Sequence, residues 1–329
     1  MKMRRRVLLC AIGLLLAAGQ CPAEDAVRAA IERALPFVDR EGQRWIEEKK
    51  CVTCHQVPFM VWALNAASDR ALSVDRKKLA EQRAWATDWQ HMANKTQLEQ
   101  GLNFTLSNHP DAVAQLLLGR SAEDRDAAAA WPALFAARLA AGQQDDGSWK
   151  PGGQLPDQKR PLRETQEVTT MWAVLALRSY AAADASLEPR FAKARAWLGD
   201  ETQGQSTEWW AARLLVERGG GEDAAADRIR EQIVQRQHED GGWGWLCDAE
   251  SDAFGTGLAL YALARDGWAV DNPAIARGRQ FLVSSQQADG SWLVKGTKKN
   301  KAQQVEPTAI YWGTCWAVIG LAETLRLSD

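Results

Sequence analysis

Apolar side chains recur at helical spacing along the chain from Asp25 onward, in runs separated by Gly, Pro and Asp breaks. No convincing strand-like alternation interrupts these runs. The pattern predicts six consecutive helix pairs, each with an outer and an inner member. The predicted outer helices cover 26–50, 75–98, 122–142, 189–201, 222–237 and 273–286. The predicted inner helices cover 57–68, 110–120, 165–182, 206–218, 252–266 and 307–326.

The predicted inner helices resemble one another in sequence. The runs 170–177, 256–263 and 314–321 each start with Thr and share a small/apolar alternation, and 60–67 follows it less closely. Small residues at fixed steps allow neighbouring helices to approach closely. The inner helices are therefore expected to pack against each other as a ring.

A second repeat, Gln-x-x-x-Gly-x-Trp, follows three of the predicted outer helices. It spans Gln143–Trp149, Gln237–Trp243 and Gln286–Trp292. Gln203 and Trp209 keep the same separation without the glycine and indicate a degenerate copy. Such spacing is typical of a repeat architecture.

This motif resembles the QW motif of the squalene-hopene cyclase and prenyltransferase superfamily. The resemblance implies an all-α fold, an α6/α6 toroid of six inner/outer helix pairs, with residues 24–329 forming a single domain. Members of that superfamily mostly cyclise or transfer isoprenoids. In the family the Gln side chain satisfies open backbone groups at a helix end and the Trp packs over the turn. The six motif residues Gln143, Trp149, Gln237, Trp243, Gln286 and Trp292 are therefore assigned a structural role.

Composition narrows the classes of partner. The chain has 329 residues, 46% of them hydrophobic, which is enough for a large core. Its net charge of −2 favours neither nucleic acid nor an anionic membrane surface. Sixteen tryptophans indicate extensive packing of large rings between helices.

The amino end has the features of an export signal covering residues 1–23. Basic residues from Lys2 to Arg6 precede the apolar run 7–18, which is short for a membrane span. Cys21-Pro22-Ala23 provides a small-residue cleavage site. A lipid anchor on Cys21 is disfavoured by Gln20. The mature protein is expected to be exported, in a bacterial periplasm, without a transmembrane span.

The first repeat carries a different motif, Cys51-Val-Thr-Cys54-His55, in a repeat turn before the first inner helix. It resembles the haem attachment motif of c-type cytochromes. That resemblance implies haem c bonded through Cys51 and Cys54, with His55 as the proximal iron ligand. Two alternatives stay open: a zinc site using the same three residues, and a Cys51–Cys54 disulfide without a cofactor.

Three further histidines are available for the sixth iron position. His109, at the start of the second inner helix, is the preferred distal ligand because it is expected on the same toroid face as His55. His91 and Met92 follow, and an open sixth position would permit small-molecule binding.

The catalytic motifs of isoprenoid enzymes are not matched well by this sequence. Class II terpene cyclases carry Asp-x-Asp-Asp-Thr-Ala, but alignment on Thr256 gives Asp252 followed by Ala, Phe and Gly. Protein prenyltransferases need an Asp, Cys and His zinc set, and Cys247-Asp248 reverses the expected order. Acids before the inner helices are expected to complement helix dipoles. No catalytic residue is assigned.

The resulting expectation is a squalene cyclase-like toroid protein with haem c, in electron transfer or redox chemistry at the central cavity. Its partner would be a redox protein or a small apolar ligand. The alternatives are a non-catalytic binding module for an apolar, isoprenoid-like ligand or partner, and a divergent cyclase- or prenyltransferase-type enzyme. Whether Cys247 and Cys315 pair stays open.

Overall fold

The computed structural model of the protein describes residues 24–52, 56–92, 109–122, 130–153, 155–180, 184–199, 203–301 and 303–326. Across these residues there are twelve α-helices. They are α1 Glu24–Lys49, α2 Val57–Ser68, α3 Arg76–Ala86, α4 Pro110–Leu118, α5 Ala130–Ala141, α6 Leu162–Arg178, α7 Glu188–Leu198, α8 Thr207–Gly219, α9 Asp223–Gln235, α10 Ala253–Arg265, α11 Pro273–Ser285 and α12 Pro307–Glu323. Short 3₁₀ turns lie at Trp89–Met92, Leu155–Asp157, Ala185–Leu187 and Lys299–Lys301. The predicted signal peptide, 1–23, lies outside the described residues.

The even-numbered helices form a closed inner ring. Each packs on the next, α2 on α4, α4 on α6, and so on to α12, which returns to α2. Odd-numbered helices pack outside them, and α11 also contacts α1. The chain is therefore an all-α α6/α6 toroid, as the helical periodicity and the repeat predicted.

Helix boundaries follow local capping chemistry. Ser206 and Asp252 begin α8 and α10, and each side chain accepts the backbone amide three residues on. The second outer helix is shorter than the predicted 75–98, because α3 ends at Ala86. There Thr87 donates its hydroxyl to the Arg83 carbonyl, and a 3₁₀ turn follows at Trp89–Met92. Residues 93–98 of that prediction lie outside the described residues.

The repeat glutamines join one helix pair to the next. Each Nε2 donates to the carbonyl of its own repeat glycine and to a carbonyl of the following outer helix. The second acceptors are Arg190, Ala274 and Ala30, for Gln143, Gln237 and Gln286 respectively, at 2.8 to 2.9 Å. Because Ala30 is on α1, Gln286 links the last repeat to the first and closes the outer ring.

The repeat tryptophans close the turns from inside. The indoles of Trp149, Trp243 and Trp292 are buried and donate to the carbonyls of Leu139, Ile233 and Leu282, at 2.7 to 2.8 Å. Their backbone amides donate to the hydroxyls of Thr170, Thr256 and Thr314, at 2.9 to 3.2 Å. These threonines begin the three similar inner-helix runs. The contacts confirm the structural role assigned to the glutamines and tryptophans.

The degenerate copy does not repeat this geometry. Trp209 lies within α8, and its indole donates to the Glu167 carboxylate at 2.7 Å. Gln203 is exposed. The six-residue spacing predicted a further copy of the repeat turn, which these two residues do not form. Without the glycine and its turn, the Trp209 indole lies on an inner helix.

Aromatic side chains fill the centre of the inner ring. Trp62, Trp172, Tyr261 and Trp316 come from four different inner helices, and neighbouring centroids lie 5.3 to 6.3 Å apart. Phe59 extends this cluster towards the start of α2, at 5.4 Å from Trp316. The described helices are all too short or too polar to cross a membrane.

Candidate functional site at the start of the inner helices

The inner helices begin at one end of the ring, which we call the inner-helix mouth. It comprises the residues that precede these helices: Gln56, His109, Pro161, Ser206, Asp252 and Glu306. Hydrogen bonds connect neighbouring starts, for example from the Thr207 amide to the Trp245 carbonyl at 2.9 Å. Another runs from the Gly152 amide to the Asp111 carboxylate at 3.2 Å. In sequence, the Cys-x-x-Cys-His motif ends directly before Gln56, the mouth residue that precedes α2.

The amino side of the motif is held by two other elements. Cys51 and Val52 are buried. The Trp45 indole on α1 donates to the Cys51 carbonyl at 3.1 Å, and the Val52 amide donates to the His91 carbonyl at 2.7 Å. The first thiol of the motif is therefore carried on backbone that α1 and the 89–92 turn fix in place.

The carboxyl side of the motif is held by the last inner helix. The Tyr311 hydroxyl on α12 lies 3.2 Å from the Gln56 carbonyl and donates to it. The Gln56 side chain is also buried, and its Oε1 accepts no hydrogen bond from the described residues. A buried carbonyl oxygen without a donor is costly, which is consistent with a donor supplied by a bound group or by a residue next to it.

Of the three predicted haem-binding residues, the structure describes Cys51. Cys54 and His55 lie outside the described residues. Among the residues that the structure describes, no group of three or more His, Cys, Asp or Glu side chains is arranged to hold a metal ion. The haem, zinc and disulfide interpretations therefore stay predictions.

His91 has the surroundings of an oriented imidazole ligand. Its ring stacks on Trp85 with centroids 4.1 Å apart, and its Nδ1 lies 2.8 Å from the Trp85 carbonyl. A carbonyl only accepts, so Nδ1 carries the proton and the Nε2 lone pair is left for a metal. The same residue accepts the Val52 amide through its backbone. Met92, the next residue, is buried.

His109, the preferred distal ligand from the sequence, precedes α4 at the inner-helix mouth. Burial lowers the pKa of His109 to about 4. Its imidazole is therefore neutral at physiological pH, which is the form that binds iron. α4 packs beside α2, so the two residues that precede these helices, His109 and Gln56, lie at adjacent starts.

Two acids expected at helix starts have capping roles. Both carboxylate oxygens of Asp252 accept backbone amides, from Gly255 at 2.7 Å and from Trp245 at 2.9 Å. Desolvation nevertheless raises the pKa of Asp252 to about 6. Glu164 accepts the amides of Gln205 and Ser206, both at 2.9 Å, and so holds the start of α8.

Sequence reasoning missed a polar cluster behind the mouth. Asp111 accepts the Thr169 hydroxyl at 2.7 Å, and desolvation raises its pKa to about 6. Glu208 pairs with the buried Arg160 at 2.7 Å and accepts the Trp172 indole at 3.2 Å. This cluster joins the mouth to the central aromatic rings. Asp111 directly follows Pro110, which is an ordinary pattern at a helix start. No local signal therefore marked Asp111 as part of a polar cluster.

A cleft of about 560 Å³ opens at the mouth beside these groups. Its walls are the 245–252 loop and the 293–305 segment, and the exposed side chains of Leu293 and Val305 line it together with Trp245. Lys295 and Glu250 form an ion pair across it at 2.7 Å. The volume lies in the range of small-molecule sites.

Two further cysteines among the described residues, Cys247 and Cys315, do not form a disulfide with one another. Cys247 is a half-buried thiol and Cys315 is a fully buried one. Burial raises the pKa of both, and for Cys247 the nearby Arg236 opposes the shift. Cys315 is thus an inert core residue of α12 that contacts the Tyr311 hydroxyl.

Solved structures with this fold come from two groups of enzymes. An unsaturated glucuronyl hydrolase from Streptococcus agalactiae is similar at a TM-score of 0.61 and 9% identity, over 99% of each chain. A possible family GH105 member from Salmonella enterica gives 0.59 and 14%, over 98% of this chain and 99% of that one. A type II terpene cyclase from Scytonema gives 0.55 and 13%, over 91% and 97%. At these identities the likeness establishes the toroid fold and not an activity.

Sequence similarity is confined to a short region. No protein-family model matches the chain. Cycloartenol synthase from Dictyostelium discoideum is 36% identical over 73 residues, which are 22% of this chain and 10% of that protein. An alpha-2-macroglobulin from Thermotoga maritima is 36% identical over 75 residues, 20% of this chain and 5% of that protein. The matches thus span a tenth or less of these relatives.

Proposed function

We propose that the protein is an exported α/α-toroid that carries one covalent haem c at the inner-helix mouth and serves in electron transfer or redox chemistry there. The motif Cys51-x-x-Cys54-His55 would hold the haem. The observation that carries the proposal is the fixing of Cys51, at the start of this motif, and of Gln56, directly after it. Trp45 and His91 hold Cys51 and Val52, and Tyr311 holds Gln56.

Each residue of the motif has one chemical task. Cys51 and Cys54 would hold the haem through two thioether bonds, each made by addition of a thiol S–H across one vinyl group. His55 supplies an imidazole to the iron. The bound group supplies one-electron Fe(III)/Fe(II) chemistry, whose potential depends on axial ligands and burial. A rigid backbone on both sides of the motif favours electron transfer because little reorganisation is needed.

His91 and His109 are the two proposed sources of a sixth ligand. His91 is supported by its bond to Trp85 through Nδ1, which orients the ring, and by its backbone bond to Val52. His109 is supported by its neutral imidazole at the start of α4, beside α2.

The cleft beside the mouth would receive the electron donor or acceptor. Leu293, Val305 and Trp245 offer apolar surface, and Asp248 and Lys159 offer polar groups. This lining suits a small, largely apolar redox molecule with polar substituents. The cleft lies next to α12, the helix that holds Gln56.

Export with a haem-maturation system tests attachment. The wild type is expected to be red, and its pigment should stay with the polypeptide through acid-acetone extraction. Cys51→Ala and Cys54→Ala should each lose one thioether, which shifts the alkaline pyridine haemochrome band. Cys247→Ala is the matched control, because that half-buried thiol contacts Thr207 and Arg236, is not among the residues that line the cleft, and should leave the spectrum unchanged.

A folded but colourless protein would refute the haem proposal. Zinc content that disappears in Cys51→Ala would then favour the metal site, and a thiol titration with Cys51 and Cys54 oxidised would favour the disulfide. Low-temperature electron paramagnetic resonance of His91→Ala and His109→Ala identifies the sixth ligand. The sixth ligand is the histidine whose replacement abolishes the bis-histidine signal.

A further inference from the structure

A small, charged cavity lies far from the inner-helix mouth. It has a volume of about 20 Å³ and is enclosed between α6, α7 and α8. Its lining residues on α6 and α8 include Arg178 and Glu217, which lie near the carboxyl ends of those helices. Since the mouth is at the amino ends, this cavity is at the opposite end of the toroid.

Positive charge exceeds negative charge around this cavity. Three guanidinium groups line it, those of Arg178, Arg195 and Arg213, against one carboxylate, Glu217. Glu222 pairs with Arg195 from outside the cavity at 2.8 Å. Glu188, which is exposed and lies outside the lining, also acts on Arg178. The excess of positive charge therefore belongs to the cavity lining itself. Excess charge in a desolvated place is costly unless a counter-ion is present.

The central pair of the cavity is almost completely buried. Arg213 and Glu217 are each 4% exposed, and Arg213 Nε lies 2.6 Å from Glu217 Oε1. Arg213 Nη2 donates to the Gly199 carbonyl at 2.7 Å. Neither contact uses Arg213 Nη1.

Two guanidinium nitrogens at this cavity have no acceptor. Arg213 Nη1 and Arg178 Nε are buried and make no hydrogen bond to any residue that the structure describes. Arg178 donates through Nη1 to the Gly219 carbonyl at 2.7 Å. Desolvation lowers the pKa of Arg178, and the charges of Glu188 and Glu217 offset that shift only in part. A guanidinium carries donors only, so the missing group must be an acceptor.

We propose that this cavity binds one small inorganic anion of the size and charge of chloride, held by Arg178 and Arg213. A cavity of this volume takes one or two water-sized particles. Its apolar walls, Val174 and Phe191, offer no donors to a larger oxyanion. A monatomic anion satisfies both orphaned donors and cancels the excess charge, which water would not do.

Thermal unfolding in chloride and in gluconate, at equal ionic strength, tests the proposal. Gluconate is too large to enter. A ligand that binds only the folded state raises the melting temperature with its concentration, so the wild type should be stabilised by chloride and bromide and not by gluconate. Arg213→Met keeps the side-chain volume but loses the donors, and should weaken chloride affinity about tenfold or more.

Two further variants separate an anion site from a general salt effect. Glu217→Gln removes the competing carboxylate and should strengthen chloride binding, whereas a purely structural ion pair predicts no halide dependence in either form. Arg190→Met is the matched control. This variant also removes a guanidinium that donates to a backbone carbonyl, that of Ala140, but Arg190 lies outside the cavity. It should keep the wild-type chloride response.

Crystals grown in bromide give a direct readout. An anomalous peak between Arg178 and Arg213, absent in Arg213→Met, is the expected result. Equal melting temperatures in chloride and gluconate, or an unchanged chloride response in Arg213→Met, would overturn the proposal and leave an ordered water as the occupant.

Discussion

Tyr311 on the last inner helix donates its hydroxyl to the backbone carbonyl of Gln56, 255 residues earlier, at 3.2 Å. Gln56 is the first described residue after the Cys-x-x-Cys-His motif. The side chain that closes the inner ring between α12 and α2 thus also fixes the backbone that follows His55. Ring closure and the candidate site depend on the same contact.

Tyr311→Phe should therefore destabilise the fold and loosen the site. Loss of this buried hydrogen bond is expected to lower the free energy of unfolding by about 1 to 2 kcal/mol. In haem-loaded protein it should also broaden the spectral signature of the iron. Tyr180→Phe is the matched control, because the Tyr180 hydroxyl is buried without a partner among the described residues. Urea unfolding of both variants measures the difference, and equal stability would contradict the role given to Tyr311.

Gln286→Met should open the outer ring. The Gln286 amide spans from Gly290 to Ala30, 256 residues away, and methionine fills the space without donating. The carbonyls of Gly290 and Ala30 would each lose a donor and the Arg33 guanidinium would lose an acceptor, which together costs about 2 to 3 kcal/mol. Hydrogen exchange should show faster opening of α1 together with α11. Gln203→Met, at an exposed position, should change neither stability nor exchange.

Two glycines with the same backbone conformation should differ sharply on substitution by alanine. Gly290 has φ of 85° and Gly267 has φ of 87°. A Cβ at Gly290 would collide with the Arg33 carbonyl on α1, whereas at Gly267 it would meet nothing within 4 Å.

Gly267→Ala should thus cost only the left-handed strain, about 1 kcal/mol. Gly290→Ala adds a backbone clash and should cost roughly 3 kcal/mol or more. Melting temperatures of the two variants check this order. Similar losses would mean that the α11–α1 contact can relax.

Asp252→Asn should change how stability depends on pH. The folded-state pKa of Asp252 is raised to about 6 from 3.8, so the folded protein binds its proton more tightly than the unfolded chain does. Stability from this group is present at low pH and is lost as pH rises from about 4 to about 6, by roughly 3 kcal/mol.

Asparagine also caps helices well, so Asp252→Asn should keep the cap and abolish that decline. Denaturant midpoints at pH 4 and pH 7 measure it. An unchanged pH slope would show that Asp252 is not the titrating group. The same variant tests the divergent-cyclase alternative, which predicts loss of isoprenoid turnover.

The helices and the repeat could be predicted because their causes are local. Apolar periodicity marked α2 from 57 to 68 without error, and most other boundaries lie within a few residues of the observed ones. The clear exception is α3, which ends at Ala86 and not at 98. The roles of the glutamines and tryptophans were expected from the resemblance of their motif to the QW repeat. Trp209 shows the limit of spacing alone: it keeps the repeat distance yet donates to Glu167 from within α8.

The candidate site could be predicted only in part. Cys51 and the turn before α2 were predicted from the sequence, and His109 was placed at a helix start. The bond from Val52 to His91, the ring stacking of His91 on Trp85, and the Asp111 and Glu208 cluster all join distant segments. No pattern within one segment encodes such contacts.

The sequence by itself determined that this protein is helical and repetitive, and that one repeat turn carries a thiol pair and a histidine in place of Gly and Trp. Helical period and motif spacing are set by neighbours along the chain. Only the tertiary structure decided how the ring closes, through Gln286 with Ala30 and Tyr311 with Gln56, and where charge accumulates around Arg213. Those outcomes depend on which side chains meet after residues far apart in sequence have packed, and on the loss of water that packing imposes.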